Sequence, residues 1–520
     1  MNSLKKKAAA KKKKYQIKRA EYDSEGDISS DDVEELEDNM LGEIINDKYI
    51  VIKYIGKGTF SKVWLLYEWK CNKFVIGKFF NDNGNEEYKV ERIIMDQLYT
   101  YIDYNEDSNI MQIIEKINFD KDDNNINAII LPFLGKTISE LLDDYCLSVK
   151  QSKIVIRQLL FGLKNLHDLN ILHTDLKLDN ILTNKYSSTI IEYTKKIEEL
   201  NLHEKYDELV YINTPNNLKD LNKNKRKLQK RKIKNKIAKQ FKNYINDELN
   251  YYINLDNNNL DKIKINNDEQ IKINSVHKSR KHNNELSNNL NILSGIHSDI
   301  DMDMDILNID HLEEFNFNTS KNENKKELFN HDKFFINKNK YLTDTKINDE
   351  TRIILSDFSN AIIEKNVNSD DEFQIRALRA PENILGITYS KKSEIWTIGC
   401  LLWDLICNDL IFEPKLTGTS ISKDRAQLKL MEKYLGKVPK DISLECPKTH
   451  DLYEDNGKII NNKKVIRKNL DDRLIELRPD LEEEEVNQVI NFLKLTWNYN
   501  HLNRVSIDDL LKSDFLSESK

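Results

Sequence analysis

Four polar residues at fixed spacing carry the most chemistry in this chain. They lie in His173-Thr174-Asp175-Leu176-Lys177-Leu178-Asp179-Asn180, just ahead of apolar Ile181-Leu182. Polar groups set against an apolar run need partners, so packing alone is a poor explanation of the pattern His-x-Asp-x-Lys-x-x-Asn. It suits phosphoryl transfer, with Asp175 accepting a hydroxyl proton, Lys177 neutralising charge on the transferring group and Asn180 holding a Mg²⁺. A second carboxylate, Asp357, ends the run Ile353-Ile354-Leu355-Ser356 and precedes Phe358. That is where a metal-binding aspartate belongs, and Asp357 is expected to hold the Mg²⁺ that bridges the β- and γ-phosphates of ATP. Lys78 lies in the apolar run Phe74-Val75-Ile76-Gly77-Lys78-Phe79-Phe80 and must find a counter-charge. Glu91 can supply it, fixing Lys78 against the α- and β-phosphates. Gly56-Lys57-Gly58-Thr59-Phe60-Ser61-Lys62-Val63 falls between two strand-like runs, so Gly56 and Gly58 can bring backbone N–H groups onto a phosphate chain. Ser61 stands where a third glycine would be, and a strand follows, which excludes a dinucleotide-binding fingerprint.

These residues need a scaffold, and the sequence supplies one in pieces. Tyr49 to Ile55, Lys62 to Trp69 and Phe74 to Phe80 are rich in β-branched and aromatic residues and read as strands. A helix is expected from about Glu86 to Leu98, with Val90, Ile93, Ile94 and Leu98 at helical spacing. Beyond Pro132 helical spacing dominates: Val155, Leu159, Leu160, Leu163 and Leu166 share one face, and Ile398, Leu401, Leu402 and Leu405 another. From Tyr186 to about Glu350 the pattern gives way to Asn-, Ile-, Lys- and Asp-rich sequence. A stretch this long is expected to be an insertion whose ends lie close together on the surface.

The predicted division is a disordered charged tail over 1–47, a β-rich lobe over 48–134, the first part of a helical lobe over 135–185, a low-complexity insertion over 186–349, and the rest of the helical lobe over 350–520. The insertion holds a basic run from Lys223 to Lys232, readable as a nuclear-localisation or RNA-binding patch or as a solvated linker, and an acidic run around Asp299 to Glu314. Ser24, Ser29 and Ser30 sit among carboxylates in the tail, a context that acidophilic kinases prefer.

Composition excludes several classes. No run approaches the ~20 apolar residues of a membrane span, and Met1 to Lys7 lead into no apolar stretch, so neither a membrane nor a secretory route is expected. The 5 cysteines follow no CxxC spacing, which argues against a disulfide framework or a zinc site and for a reducing, intracellular compartment, cytoplasmic or nuclear. A net charge of −7 gives no bulk electrostatic case for nucleic acid, which is not expected as a partner.

Taken in order, these motifs resemble the eukaryotic protein-kinase fold over about Lys48 to Leu516, the insertion excepted. Details are similar to the SR-protein kinase family: Gly58 to Leu65 in the glycine loop, His173-Thr174-Asp175 where most kinases have His-Arg-Asp, Asn360-Ala361 after the metal-binding aspartate, Phe412-Glu413-Pro414, and Leu435-Gly436-Lys437-Val438-Pro439. The resemblance implies an α+β bilobal fold, with a small antiparallel sheet and one helix in the N-lobe and a larger helical C-lobe. It also implies ATP and Mg²⁺ as cofactors. Protein Ser/Thr hydroxyls would be the acceptors and the chain a monomer. Leu131-Pro132-Phe133-Leu134-Gly135 would be the hinge, Pro132 giving a carbonyl and Leu134 an N–H to adenine, with Ile55 and Val63 covering the purine. Ala380-Pro381-Glu382 would place Glu382 in a buried ion pair with Arg504.

Departures from the family are Ser359 for a glycine, Leu178 for a proline and Glu394 for an aspartate; none removes a catalytic group. Thr174 cannot read an activation-loop phosphate as an arginine does, so activity without loop phosphorylation is expected, with Asp370, Asp371 and Glu372 as standing negative charge. The family's substrates are basic and Arg-Ser-rich, whereas Ser422 to Gln427 is of mixed charge, which leaves Arg-Ser specificity open. An alternative of a different class is a pseudokinase scaffold that binds partners through the insertion. Another is an RNA-associated protein built on Lys223 to Lys236.

Overall fold

The computed structural model describes residues 40–58, 60–80, 85–102, 108–121, 124–142, 146–215, 222, 224–249, 346–368, 371–414, 419–460 and 466–517. Residues 1–205 and 331–520 form one unit and residues 206–330 another.

The first unit begins with a six-stranded antiparallel sheet. Its strands are β1 (Ile44–Ile45), β2 (Tyr49–Lys57), β3 (Ser61–Glu68), β4 (Lys73–Phe80), β5 (Glu115–Lys121) and β6 (Asn124–Pro132), in the spatial order β1-β2-β3-β4-β6-β5. Tyr49, Val51, Trp64, Leu66, Val75 and Ile130 alternate onto one buried face and form its core. Helix α1 (Asn85–Tyr101) buries Ile94, Met95 and Leu98, and with them Glu91. The three predicted strands and the predicted helix are therefore present. The tail differs: Met40, Leu41 and Ile45 are buried and β1 pairs with β2, so ordered chain starts ahead of Lys48. The expected disorder before Met40 lies outside the described residues.

The helical part follows. Helix α2 (Ile138–Leu142) leads to α3 (Val149–Asp168), which opens on a capping box between Ser148 and Gln151 and buries Val155, Leu159, Leu160, Leu163 and Leu166 as predicted. Two short ladders lie beside α3. Strand β7 (Ile171–Leu172) pairs with β10 (Ile362–Ile363), and β8 (Ile181–Thr183) pairs with β9 (Ile353–Leu355). Each ladder joins segments on opposite sides of the insertion.

Sequence from Tyr186 was expected to lack structure, and for its first part it does not. Helices α4 (Ser188–Glu199) and α5 (Leu202–Asn213) follow directly. Tyr186 Oη donates to the Phe133 carbonyl at 3.0 Å, the Tyr193 hydroxyl donates to the Ile52 carbonyl, and Lys53 lies over the Tyr193 ring. Ile191, Tyr193, Thr194 and Ile197 are the buried face of α4, a 3.6-residue period inside biased composition. The second unit contains the end of α5 and a helix over 224–249, here α6, with Phe241 edge-on to Tyr206 at 5.4 Å.

In the rest of the C-lobe, α7 (Lys391–Cys407) is buried on every side from Ser393 onward, as a helix apolar all round must be. Helices α8 (Ser420–Leu435) and α9 (Glu483–Thr496) follow it in sequence. Gly399 permits a close approach: a Cβ there would lie 2.2 Å from Thr496 Oγ1 and 2.6 Å from Trp497 Nε1. Gly399→Ala is expected to destabilise the fold by about 1–3 kcal/mol through overpacking, read as a lower denaturant midpoint. An unchanged midpoint would show that α7 and α9 can separate freely. No helix among the described residues is long and apolar enough to cross a membrane.

Candidate active site

Ladder register builds the site. Pairing Ile181 with Leu355 brings the ends of β8 and β9 together, so the residues flanking them, Asn180 and Ser356, become neighbours 176 positions apart. The Ser356 N–H and hydroxyl both donate to the Asn180 carbonyl, at 2.9 and 3.0 Å. His173 Nε2 meets the Ser356 carbonyl at 3.0 Å, and its ring packs edge-on to Phe358 at 5.6 Å. Asp357 is thereby fixed beside the loop that carries Asp175.

Within that loop, Lys177 Nζ lies 3.2 Å from Asp175 Oδ2, and Asn180 Nδ2 donates to the Asp175 carbonyl at 2.9 Å and to Asp175 Oδ2 at 3.1 Å. Burial opposes the Lys177 charge, but Asp175 outweighs it and raises the lysine above its ordinary pKa. Thr174 has φ of 64°, a costly conformation for a β-branched residue. Two bonds hold it there: its N–H donates to Glu394 Oε1 at 2.8 Å and its hydroxyl to the Asn360 carbonyl at 2.6 Å.

Lys78 is buried and reaches two carboxylates, Glu91 Oε2 at 2.7 Å and Asp357 Oδ1 at 2.8 Å. Desolvation would lower its pKa, but the Asp357 and Glu91 charges raise it well above the usual lysine value. At Asp357 desolvation works against ionisation and is overcome by Lys78 and by the Ser359 hydroxyl, which donates at 2.7 Å, so the carboxyl stays well below the usual range. Asp357 also takes a positive φ, 63°.

Of the predicted site residues, Lys78, Glu91, Asp175, Lys177, Asn180 and Asp357 are linked by the contacts just given. The nucleotide-facing set lies along β2, β3 and β6. Gly56 pairs with Val63, and Ile55 occupies the register shift between them and the Tyr54–Trp64 pair, leaving its side chain exposed. Gly58 N donates to the Ser61 carbonyl at 2.8 Å, closing the turn. Pro132 ends β6, and past Leu134 the Gly135 N–H donates to the Thr183 carbonyl at 2.7 Å, tying the hinge to β8.

Sequence reasoning missed Ser356 and the positioning roles of Glu394, Ser359 and His173. Ser359 and Glu394 stand out in the sequence only as departures from a family pattern, and the Thr174 N–H that Glu394 holds is 220 positions away.

The donor set suits Mg²⁺ and a nucleotide. Asp357 and Asn180 offer hard oxygen ligands of the kind Mg²⁺ takes alongside substrate phosphates. A Cβ at Gly56 would meet nothing within 4 Å, which leaves the open backbone a phosphate chain needs. Two lobes, a lysine held between a helix glutamate and a metal-type aspartate, and an adjacent Asp-Lys-Asn loop define the bilobal kinase fold. Comparison with known families agrees: the protein kinase domain matches residues 49–207 and 340–516. The chain belongs to the protein kinase domain family, its domain split by the insertion.

Among relatives, "Putative serine/threonine-protein kinase L205" of Acanthamoeba polyphaga mimivirus is 26% identical over 96% of this chain and 93% of its own. "Serine/threonine-protein kinase SRPK" of Physarum polycephalum is 28% identical over 28% of this chain and 34% of its own. "Serine/threonine-protein kinase SKY1" of Saccharomyces cerevisiae is 26% identical over 29% of this chain and 20% of its own. The chain thus aligns with about a third of the length of the first of these last two and a fifth of the second.

Proposed function

We propose that the chain is an active Ser/Thr protein kinase of the SR-protein-kinase type, transferring the ATP γ-phosphoryl group to protein hydroxyls. The observation that carries this reading is Lys78, held at 2.7 Å by Glu91 and 2.8 Å by Asp357. An ammonium held between two carboxylates keeps its charge and stays beside the metal-type aspartate, where nucleotide phosphates would bind. In this reading Asp175 takes the acceptor hydroxyl proton while Lys177 balances charge on the transferring group. Ile55, Gly56, Gly58, Ser61, Val63, Pro132 and Leu134 bind the nucleotide. Asp357 and Asn180 would hold Mg²⁺, which when bound neutralises phosphate charge. With every one of these side chains present, nothing favours the scaffold alternative.

The reading is tested with γ-labelled ATP and three acceptors: an Arg-Ser peptide, a basic protein and an acidic protein. Label on serine or threonine is expected; label on tyrosine alone, or no transfer to any acceptor, would overturn it. Strict Arg-Ser selection is not part of the proposal. Asp424, the carboxylate within Ser422 to Gln427, is buried and bound by Arg376, and Arg425 Nε donates to the Asp451 carbonyl at 2.8 Å.

Activity independent of loop phosphorylation belongs to the same proposal. Thr174 presents no cation, and its hydroxyl already holds Asn360. Arg379, which a loop phosphate could otherwise recruit, is buried on Glu372 Oε2 at 3.0 Å and on the Gln374 carbonyl. Asp371 bonds the Asn368 N–H, while Asp370 lies outside the described residues. Turnover is expected to be the same before and after phosphatase treatment; a large drop would show that a phosphate orders the loop.

A further inference from the structure

The kinase reading makes no use of helix α6, residues 224–249. Between Lys223 and Asn246 the sequence has eleven Lys and Arg and no Asp or Glu. Asn222 caps the helix, its Oδ1 accepting from the Lys225 N–H at 3.0 Å. The C-terminal half is amphipathic, burying Ile237, Phe241, Ile245 and Leu249, with Lys236 and Lys239 exposed. The N-terminal half has no such division. At 100° per residue, Lys225, Arg226, Lys227, Lys230, Arg231 and Lys232 point all the way round the axis, and all but the half-buried Arg226 are exposed. Among the described residues none of these six forms an ion pair with a carboxylate.

This arrangement opposes helix formation in isolation. Like charges four apart, Arg226 with Lys230 and Lys227 with Arg231, repel, and the cations crowd the end where the helix dipole is already positive. An external polyanion would remove both penalties. A membrane surface is a poor match, because an interfacial helix needs one apolar face to bury, and here the cations leave none. A groove with phosphates on both sides fits charge spread round a cylinder. A helix about 10–12 Å across matches the ~12 Å width of the B-form major groove.

We propose that the basic half of α6 is a docking element for duplex DNA, held by phosphate charge rather than by base sequence. It reverses the sequence-based expectation that nucleic acid is not a partner, since the net charge of −7 averages this block with acidic ones elsewhere. It stands or falls independently of the kinase reading.

The test uses the full chain and a fluorescent 24-base-pair duplex in an anisotropy titration from 50 to 200 mM salt. If about six phosphates are neutralised, affinity falls about 10³-fold across that range. The variant Lys227→Gln/Lys230→Gln/Arg231→Gln/Lys232→Gln should lose most of the affinity and most of the salt slope while keeping the wild-type rate of phosphoryl transfer. Duplex should also raise the helical circular-dichroism signal of the wild type. Equal binding by the variant, tighter binding to a single strand than to the duplex, or binding to phosphatidylserine vesicles in preference to DNA would each overturn the proposal.

Discussion

Replacing Asp175 with alanine is expected to slow single-turnover phosphoryl transfer by about 10²–10⁴-fold with little change in nucleotide affinity. Asp175 is the carboxylate onto which both Lys177 and Asn180 converge, while the predicted phosphate contacts run through Lys78 and the Gly56 to Ser61 turn. Asp175→Asn sharpens the test. It is nearly isosteric and can still accept from Asn180, but it cannot take a proton at neutral pH. The same large loss in both variants identifies proton acceptance; a near-wild-type rate in the asparagine variant would reassign Asp175 to positioning. Rapid-quench transfer to a serine peptide gives the rate, and nucleotide binding measured separately isolates the chemical step.

The second large effect concerns stability. Glu382 and Arg504 both have fully buried side chains and meet in a two-point fork, Nη1 to Oε1 and Nη2 to Oε2, each at 2.6 Å. Ser393 Oγ donates to Oε1 at 2.6 Å, Arg504 Nε donates to the Asn498 carbonyl at 2.9 Å, and the guanidinium lies 5.2 Å over the Trp396 ring. Glu382→Ala or Arg504→Ala strands one charge in that interior and is expected to cost about 3–5 kcal/mol, seen as a lower unfolding midpoint. The double variant Glu382→Leu/Arg504→Met should recover much of the loss, because it strands neither charge. Additive losses would contradict that explanation.

Burial alone would raise the Glu382 pKa, but Arg504 and Ser393 outweigh it and hold the carboxyl below its ordinary value. A lowered folded pKa means that the stabilisation is complete above the unfolded value of about 4.3 and is lost as pH falls through the folded value. Glu382→Gln should therefore flatten the acid side of the stability profile.

Much of this was legible from residue order. Asp175, Lys177 and Asn180 lie within six positions of one another, and a motif that short is written in one place. Lys78 on an apolar strand demands a counter-charge, and Glu91 in the helix that follows can supply it. Glu394 was not legible, because its task is to hold the strained Thr174 backbone from 220 positions away and nothing local marks it. Helix α4 was hidden differently. Its buried positions Ile191, Thr194 and Ile197 keep helical period, but they sit in Asn-, Lys- and Ile-rich sequence where apolar residues are frequent enough to blur it. Arg379 was overlooked because its partners Glu372 and Gln374 are close in sequence but meet it only once the loop has folded back.

The two segments that flank the insertion are latched to each other beside β8 and β9. Asn184 Nδ2 donates to the Glu350 carbonyl at 3.0 Å, Asn184 Oδ1 accepts from the Arg352 N–H at 3.0 Å, and β8 and β9 run antiparallel directly behind. The two aspartates of the cleft are thus held together by a ladder and a side-chain latch rather than by the residues that connect them along the chain. In evolutionary terms the latch uncouples length from geometry: the intervening segment can grow, shrink or acquire a partner of its own without moving Asp175 relative to Asp357. Fragments ending near residue 215 and starting near 346 carry between them the contacts described for the site, so their co-expression is expected to recover phosphoryl transfer, and an inactive pair would contradict it.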